Sequence, residues 1–372
     1  MTTNIPLTRP FFDADELAEI KKVLDSGWVS QGPKTKEFEE RASEYLGIKH
    51  AIPVSNCTAA LHLALLSFGI KKGDEVLVAD YTYPATGHSV VYCGAKPRFV
   101  DVDPRTYNIN PELLKRKLNA RTKAIIPVHT FGQPADMDPI MEFAADNNLR
   151  VIEDAACAFG AKYRKKFAGT IGDIGCYSFH ARKGLTTGEG GMIVTRKDAL
   201  AEKMRHLSVF GLKAAWDREK KSFTIPTFTD IGYNYKMSDI TAAIGVVQLR
   251  RLDKVIARKR ALAKLWDELL SDMNSIIPPF VAKNMEHVYQ TYNTRLSKNI
   301  NRNGVIDSLT KVGVQTNIGT YASHIQPVYK SKDKCPKSLE VFNTSLALPL
   351  YYGMADTQVD IAAKKLKKAL EA

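Results

Sequence analysis

Apolar residues recur along this chain in two alternating rhythms. From Phe11 to Ser26, Leu17, Ile20, Val23 and Leu24 fall at helical spacing, which predicts an inward stripe on a first helix. A turn at Gly27 to Pro33 separates it from a second predicted helix running from about Thr35 to Tyr45. Short apolar runs with β-prone residues then predict strands at Ala51 to Ser55, Glu75 to Ala79, Pro97 to Val102, Ala124 to Val128, Arg150 to Glu153, Ile174 to Phe179 and Met192 to Thr195. Helix-like segments lie between most of them, at Thr58 to Phe68, Pro84 to Cys93, Pro111 to Leu118 and Pro139 to Asn147, with another at Lys197 to Leu207.

Strands alternating with helices predict an α/β fold, with a mostly parallel sheet covered by helices and ligands bound beyond the carboxyl ends of its strands. The polar, aromatic segment Lys213 to Asp230 reads as a long loop. A long helix is predicted from about Ser238 towards Met273, after which Pro278 and Pro279 open a smaller α+β segment. The expected division is a large domain over 1–250 and a small C-terminal domain over 251–372.

With 372 residues, 44% hydrophobic and 25% charged, the chain is long enough for two domains and a sizeable core. No apolar run is long enough to span a bilayer and the first residues lack a signal pattern, so a cytoplasmic protein is expected. Five cysteines, Cys57, Cys93, Cys157, Cys176 and Cys335, are widely spaced and contain no Cys-x-x-Cys pair, which argues against a disulfide framework or a structural metal site.

A net charge of +13 invites an anionic partner, either nucleic acid or a phosphorylated small molecule. Much of the charge sits on two amphipathic helices, as Arg250, Arg251, Lys254, Arg258, Lys259 and Arg260, and as Lys364, Lys365, Lys367 and Lys368. These read mostly as solvated faces, so small-molecule substrates are expected and neither nucleic acid nor membrane.

The chemistry gathers at the strand ends. The run Ile174 to Phe179 delivers Ser178, His180 and Lys183 into a Gly- and Thr-rich turn. A lysine between two buried strands suits imine chemistry, because desolvation lowers its pKa and frees the amine as a nucleophile. Asp154 ends a buried strand, where a carboxylate needs a positive partner; a protonated pyridine nitrogen is one, and a helix cap or an ion pair is the plainer alternative. Asn56, Cys57 and Thr58 open a helix whose first amides suit a phosphate, although simple capping also accounts for Thr58. Tyr83 follows the next strand, where an aromatic can stack on a flat ring or serve the core.

Asn56-Cys57-Thr58-Ala59-Ala60-Leu61, Glu153-Asp154-Ala155-Ala156, Ser178-Phe179-His180 with Lys183, Thr187-Gly188-Glu189-Gly190-Gly191 and Gly232-Tyr233-Asn234-Tyr235 together resemble the DegT/DnrJ/StrS family of sugar-nucleotide aminotransferases. Ser26-Gly27-Trp28 and Gly32-Pro33 extend the likeness to the N-terminal part, and His324-Ile325-Gln326-Pro327 and Leu348-Pro349-Leu350 to the C-terminal part. The resemblance implies fold type I of the pyridoxal 5'-phosphate enzymes and a homodimer with shared active sites. It implies an amino donor, L-glutamate, and a keto sugar on a nucleoside diphosphate, a 4-keto-6-deoxyhexose or 4-keto pentose for surface polysaccharide or lipid A-type glycans.

Carried over by position, Lys183 holds the cofactor covalently, Asp154 its ring nitrogen and Tyr83 its ring face. Thr58, Ala59 and Ser178 bind its phosphate, joined by Asn234 of the neighbouring subunit, while His324 and His180 lie on the substrate side. Three positions depart from the family pattern: Cys57 for Gly, Lys236 for Arg, and Cys157 beside the cofactor for Gln, His or Glu. Ala215-Trp216-Asp217-Arg218 and the segment from Leu7 to Trp28 resemble enzymes that aminate a 4-keto pentose. The alternatives are a cyclitol aminotransferase, a sugar dehydratase, against which an intact Lys183 counts, and a non-catalytic basic regulatory protein.

Overall fold

The computed structural model describes residues 4–213 and 225–371. The stretch Ala215 to Arg218, singled out above, lies outside the described residues. Seven strands make the central sheet: β1 (His50–Val54), β2 (Glu75–Ala79), β3 (Lys96–Val100), β4 (Thr122–Ile126), β5 (Arg150–Asp154), β6 (Ile174–Ser178) and β7 (Gly191–Thr195). Their spatial order is β1-β7-β6-β5-β4-β2-β3. All neighbours from β6 to β3 pair in parallel, whereas β7 runs antiparallel to both β6 and β1.

The helices that cover the sheet are α1 (Ala14–Ser26), α2 (Pro33–Leu46), α3 (Cys57–Ser67), α4 (Ala85–Tyr92), α5 (Met137–Asp146), α6 (Asp198–Ser208) and α7 (Asp239–Leu270). Their limits follow local chemistry. In α1, Asp13 and Glu16 form a capping box, and Gly27 closes the helix at φ 72°. Pro33 sits in the first turn of α2 and Gly47 closes it in the left-handed region. The segment after Pro111, expected as an α-helix, is a 3₁₀ helix over Pro111–Arg116.

The inward stripe expected on α1 is only partly inward. Val23 is buried, but Leu17 is 71% and Leu24 55% exposed, and the charged Glu16 is buried instead. Glu16 is drawn in by the Gln248 amide and the Arg251 guanidinium of α7, so the helix packs by a polar anchor and turns much of its apolar side outward.

Helix α7, 32 residues long, serves two cores. Ala242, Val246, Leu249, Leu252 and Ile256 pack under the central sheet with α2. Leu262, Ala263, Trp266 and Leu270 pack in a second core with Tyr292, Leu346, Val359 and Leu366, which Ile5 also enters. That second core is lined by a three-stranded sheet, β8 (Ile276–Ile277), β9 (Tyr292–Leu296) and β10 (Ser345–Leu348).

Candidate active site

The register across the sheet assembles the site. Val54, Gly191 and Ser178 stand in one row, and Asp154 pairs with Cys176 one strand further on. The chain therefore leaves β1 towards Thr58, β5 from Asp154 and β6 towards Lys183 along one edge. Gly191 is required in that row: a Cβ there would come within 2.5 Å of the Asn56 backbone, so only glycine lets the turn that opens α3 settle on the sheet.

Asp154 is buried. The Thr86 hydroxyl donates to its Oδ2 at 2.7 Å and the Ala156 N–H to its Oδ1 at 3.1 Å. Burial raises the pKa of Asp154 above the usual carboxylate range, and these two donors and the charge of Lys183 only partly oppose it. No ion pair reaches Asp154 among the described residues. A buried carboxylate held this way is suited to a protonated ring nitrogen.

Lys183 is half-buried, and its Nζ donates to Cys157 Sγ at 3.1 Å. The expectation of a lowered pKa is corrected here. Burial pulls it down, but Cys157 alongside, with Cys57 and Asp154 beyond, outweighs burial and holds the ammonium above its ordinary value.

At the start of α3, Asn56 Oδ1 accepts the Ala59 N–H at 2.8 Å. The amide of Ala59 is thus already engaged, and the first-turn amides open to a phosphate are those of Cys57 and Thr58, with the half-buried Thr58 hydroxyl beside them. Ser178 Oγ accepts the His180 N–H at 3.3 Å and has its own hydrogen to donate. Together with Asp154 and Lys183, this donor set fits pyridoxal phosphate.

The remaining predicted residues are more exposed. Tyr83 is 68% exposed, its ring edge-on to Tyr321 at 6.2 Å, and its carbonyl accepts the N–H of Thr86. His180 is half-exposed, and its Nδ1 accepts the Arg182 N–H while Nε2 faces Glu189 at 3.8 Å. Asn234 is exposed, and its Oδ1 accepts from Lys236 Nζ, which lies over the Phe210 ring.

His324 is brought in by a short strand pair that sets Tyr321 and Ala322 against Tyr81 and Thr82. Its N–H and Nδ1 reach the two oxygens of the fully buried Asp80 at 2.6 and 2.7 Å. Burial lowers the pKa of His324, but Asp80, with Asp101 and Asp333, outweighs it and raises the value overall.

Two residues escaped the sequence reading. Thr86 could have been found from its place at the start of α4, beside Tyr83. Lys259, placed above among solvated charges, is buried, because it falls four residues after Val255 and three before Leu262 on the inward stripe of α7. Arg251 and Arg258 of the same cluster are paired with acids.

Glycine-linked strand ends, a lysine beyond β6 and a buried aspartate at the end of β5 define a pyridoxal phosphate-dependent aminotransferase of fold type I. The DegT/DnrJ/EryC1/StrS aminotransferase family matches residues 10–367, and the chain belongs to it. It is 40% identical to the GDP-perosamine synthase of Caulobacter vibrioides over 98% of each chain. It is 37% identical to the spore coat polysaccharide biosynthesis protein SpsC of Bacillus subtilis, over 96% of this chain and 94% of that one. Among solved structures, the aminotransferase TlmJ of Streptoalloteichus hindustanus superposes with a TM-score of 0.93 at 32% identity, covering 99% of both chains. The PLP form of the putative sugar aminotransferase Spr1654 of Streptococcus pneumoniae does so at 0.92 and 28%, again over 99% of both.

Proposed function

We propose that this aminotransferase carries an amino group from L-glutamate to the keto group of a sugar held on a nucleoside diphosphate, in the cytoplasm and for a surface polysaccharide. The observation that carries the reading is the pair formed by Lys183 and the buried Asp154 at one sheet edge, in a chain 40% and 37% identical to two GDP-perosamine synthases. Those relatives favour a GDP-linked keto sugar as the acceptor.

When bound, pyridoxal phosphate supplies an electron sink and a temporary carrier for the amino group. Asp154 keeps the ring nitrogen protonated, and that positive charge in turn relieves the burial cost of the carboxylate. Thr58, the α3 amides and Ser178 hold the phosphate. Tyr83 would cover the ring face, and Cys157 lies beside the Lys183 amine. With the group bound, Lys183 would hold it and, as a freed amine, would accept and return a proton at its Nζ. His324, fixed by Asp80, faces the acceptor with His180 at the rim.

A homodimer completes this reading. Phe12, Leu17, Leu24 and Val29 are exposed together around α1, and Phe228 and Ile231 near Asn234 are 68% and 91% exposed. Burial of these residues against a second copy is the arrangement in which Asn234 would serve the partner's phosphate site.

The test is the visible spectrum of the cofactor-loaded protein before and after L-glutamate, with Lys183→Ala alongside, then product analysis with GDP-, dTDP- and UDP-linked keto sugars. Loss of the cofactor's visible band with L-glutamate, absent from Lys183→Ala, and an aminated sugar product are expected. Full turnover by Lys183→Ala would sink the assignment.

A further inference from the structure

A cleft beside Lys183 contains a cation for which the chemistry above has no use. It lies between the N-terminal segment at Arg9, the Lys183 turn, Arg251 and Lys259 of α7, and Tyr351. A second cavity, lined by Cys157, Ser178, Lys183 and Lys259, adjoins it. Lys183 and Lys259 border both spaces, so whatever enters the cleft lies next to the reacting amine.

The charges of the cleft are unequally matched. Arg251 is held by Asp13 and Glu16, and the Gln248 amide by Glu16 and the Phe11 carbonyl. Lys259 is 5% exposed, and its Nζ donates to the Gln290 carbonyl at 3.1 Å, with no carboxylate partner among the described residues. Gln290 in turn holds the Arg182 carbonyl through its side-chain amide at 2.9 Å, which ties this lysine to the turn that carries Lys183. A buried ammonium with only a carbonyl to receive it is costly. The cost is visible in Lys259 itself, whose pKa burial pushes down to about 7, with Lys183 adding to the effect. An incoming anion would remove it.

We infer that Lys259 receives a carboxylate of the amino-acid donor at the floor of this cleft, and so sets the donor against the Lys183 amine. The inference rests on the proposed use of an amino-acid donor. Lys183 and Lys259 line the same two spaces, so a carboxylate held at Lys259 would keep the rest of a small donor within reach of the Lys183 amine.

The experiment uses the cofactor-loaded enzyme, with glutarate, a dicarboxylate that has no amino group, as the binding probe in calorimetry. Single-turnover spectra follow each half-reaction separately, the donor half with L-glutamate and the acceptor half from the pyridoxamine phosphate-loaded enzyme. Lys259→Met should raise the Kd for glutarate and the KM for L-glutamate about ten- to a hundredfold, the loss expected of one charge-assisted hydrogen bond. The acceptor half-reaction and GDP binding should be unchanged, and Lys259→Arg should recover most of the donor affinity. Glutarate binding and a KM equal to wild type in Lys259→Met would overturn the inference, as would equal losses in both half-reactions or weakened GDP binding. Lys259→Gln repeats the test where the methionine variant does not fold. A wild type unreactive with every amino acid would instead overturn the proposed function itself.

Discussion

The Thr86 hydroxyl stands 2.7 Å from Asp154 Oδ2, and Thr82 Oγ1 stands 2.8 Å behind it. Thr86 has one hydrogen, and an ionised carboxylate can only accept, so it goes to Asp154 and Thr82 donates to Thr86. Thr86→Val keeps the shape and deletes the donor, so Asp154 becomes still harder to ionise and holds a protonated ring less well. Cofactor affinity should fall about tenfold, the worth of one hydrogen bond to a charged group, and Thr86→Ser should retain it. Absorbance titration of the apoprotein with pyridoxal phosphate measures both.

Glu153, next to that aspartate, is a structural centre. Its two oxygens accept the Nε2–H of His129 and the N–H groups of Gly169, Ile171 and Gly172, all between 2.6 and 2.9 Å. His129 Nδ1 accepts the Ala135 N–H at 2.9 Å, which fixes the imidazole tautomer. Glu153→Ala leaves these donors buried and unpaired and should cost ~3–5 kcal/mol. Urea unfolding reads it.

Lys259 makes stability depend on pH with a definite sign. Its pKa lies at about 7 in the folded protein against 10.5 when free, so between those values the unfolded chain binds more protons than the native one and wild-type stability gains with rising pH. Below about pH 7 the penalty is present in full. The stability of Lys259→Met relative to wild type should therefore be greatest at about pH 6 and shrink by ~1–4 kcal/mol towards pH 10. A pH-independent difference would contradict this.

For His324 the sign is reversed. Asp80 raises its pKa in the folded state, so the charged pair stabilises the protein below the usual histidine value and is lost as pH rises through the raised one. The melting temperature of Asp80→Asn should lie furthest below wild type at about pH 6 and approach it at about pH 9.

Much of the site is legible in the residues themselves. Lys183, Asp154 and the α3 turn announce themselves because strand ends in an alternating α/β chain are where polar residues gather, and the sheet sets them along one edge. The direction of β7 is not legible, since an apolar run reads the same in either sense. The orientation of α1 is hidden because its anchor is Glu16, a residue type that pattern reading places in solvent. Lys259 is missed for the same reason: counted by charge it belongs outside, and only its phase on α7 puts it inside. The raised pKa of Lys183 depends on a thiol 3.1 Å away and 26 residues back in the chain, a proximity that spacing does not encode.

Ile5 pairs with Val314, takes a hydrogen bond from Gln315 and gives one to Gly313, and the Leu7 carbonyl accepts the Leu350 N–H. The ribosome makes these first residues more than three hundred positions before their partners. During synthesis they have nothing native to pack against, and a buried isoleucine must wait exposed until Gly313 to Gln315 have emerged. Completion of the second core is thus dominated by long-range closure, and Ile5 stays open to chaperones until the segment around Val314 is in place.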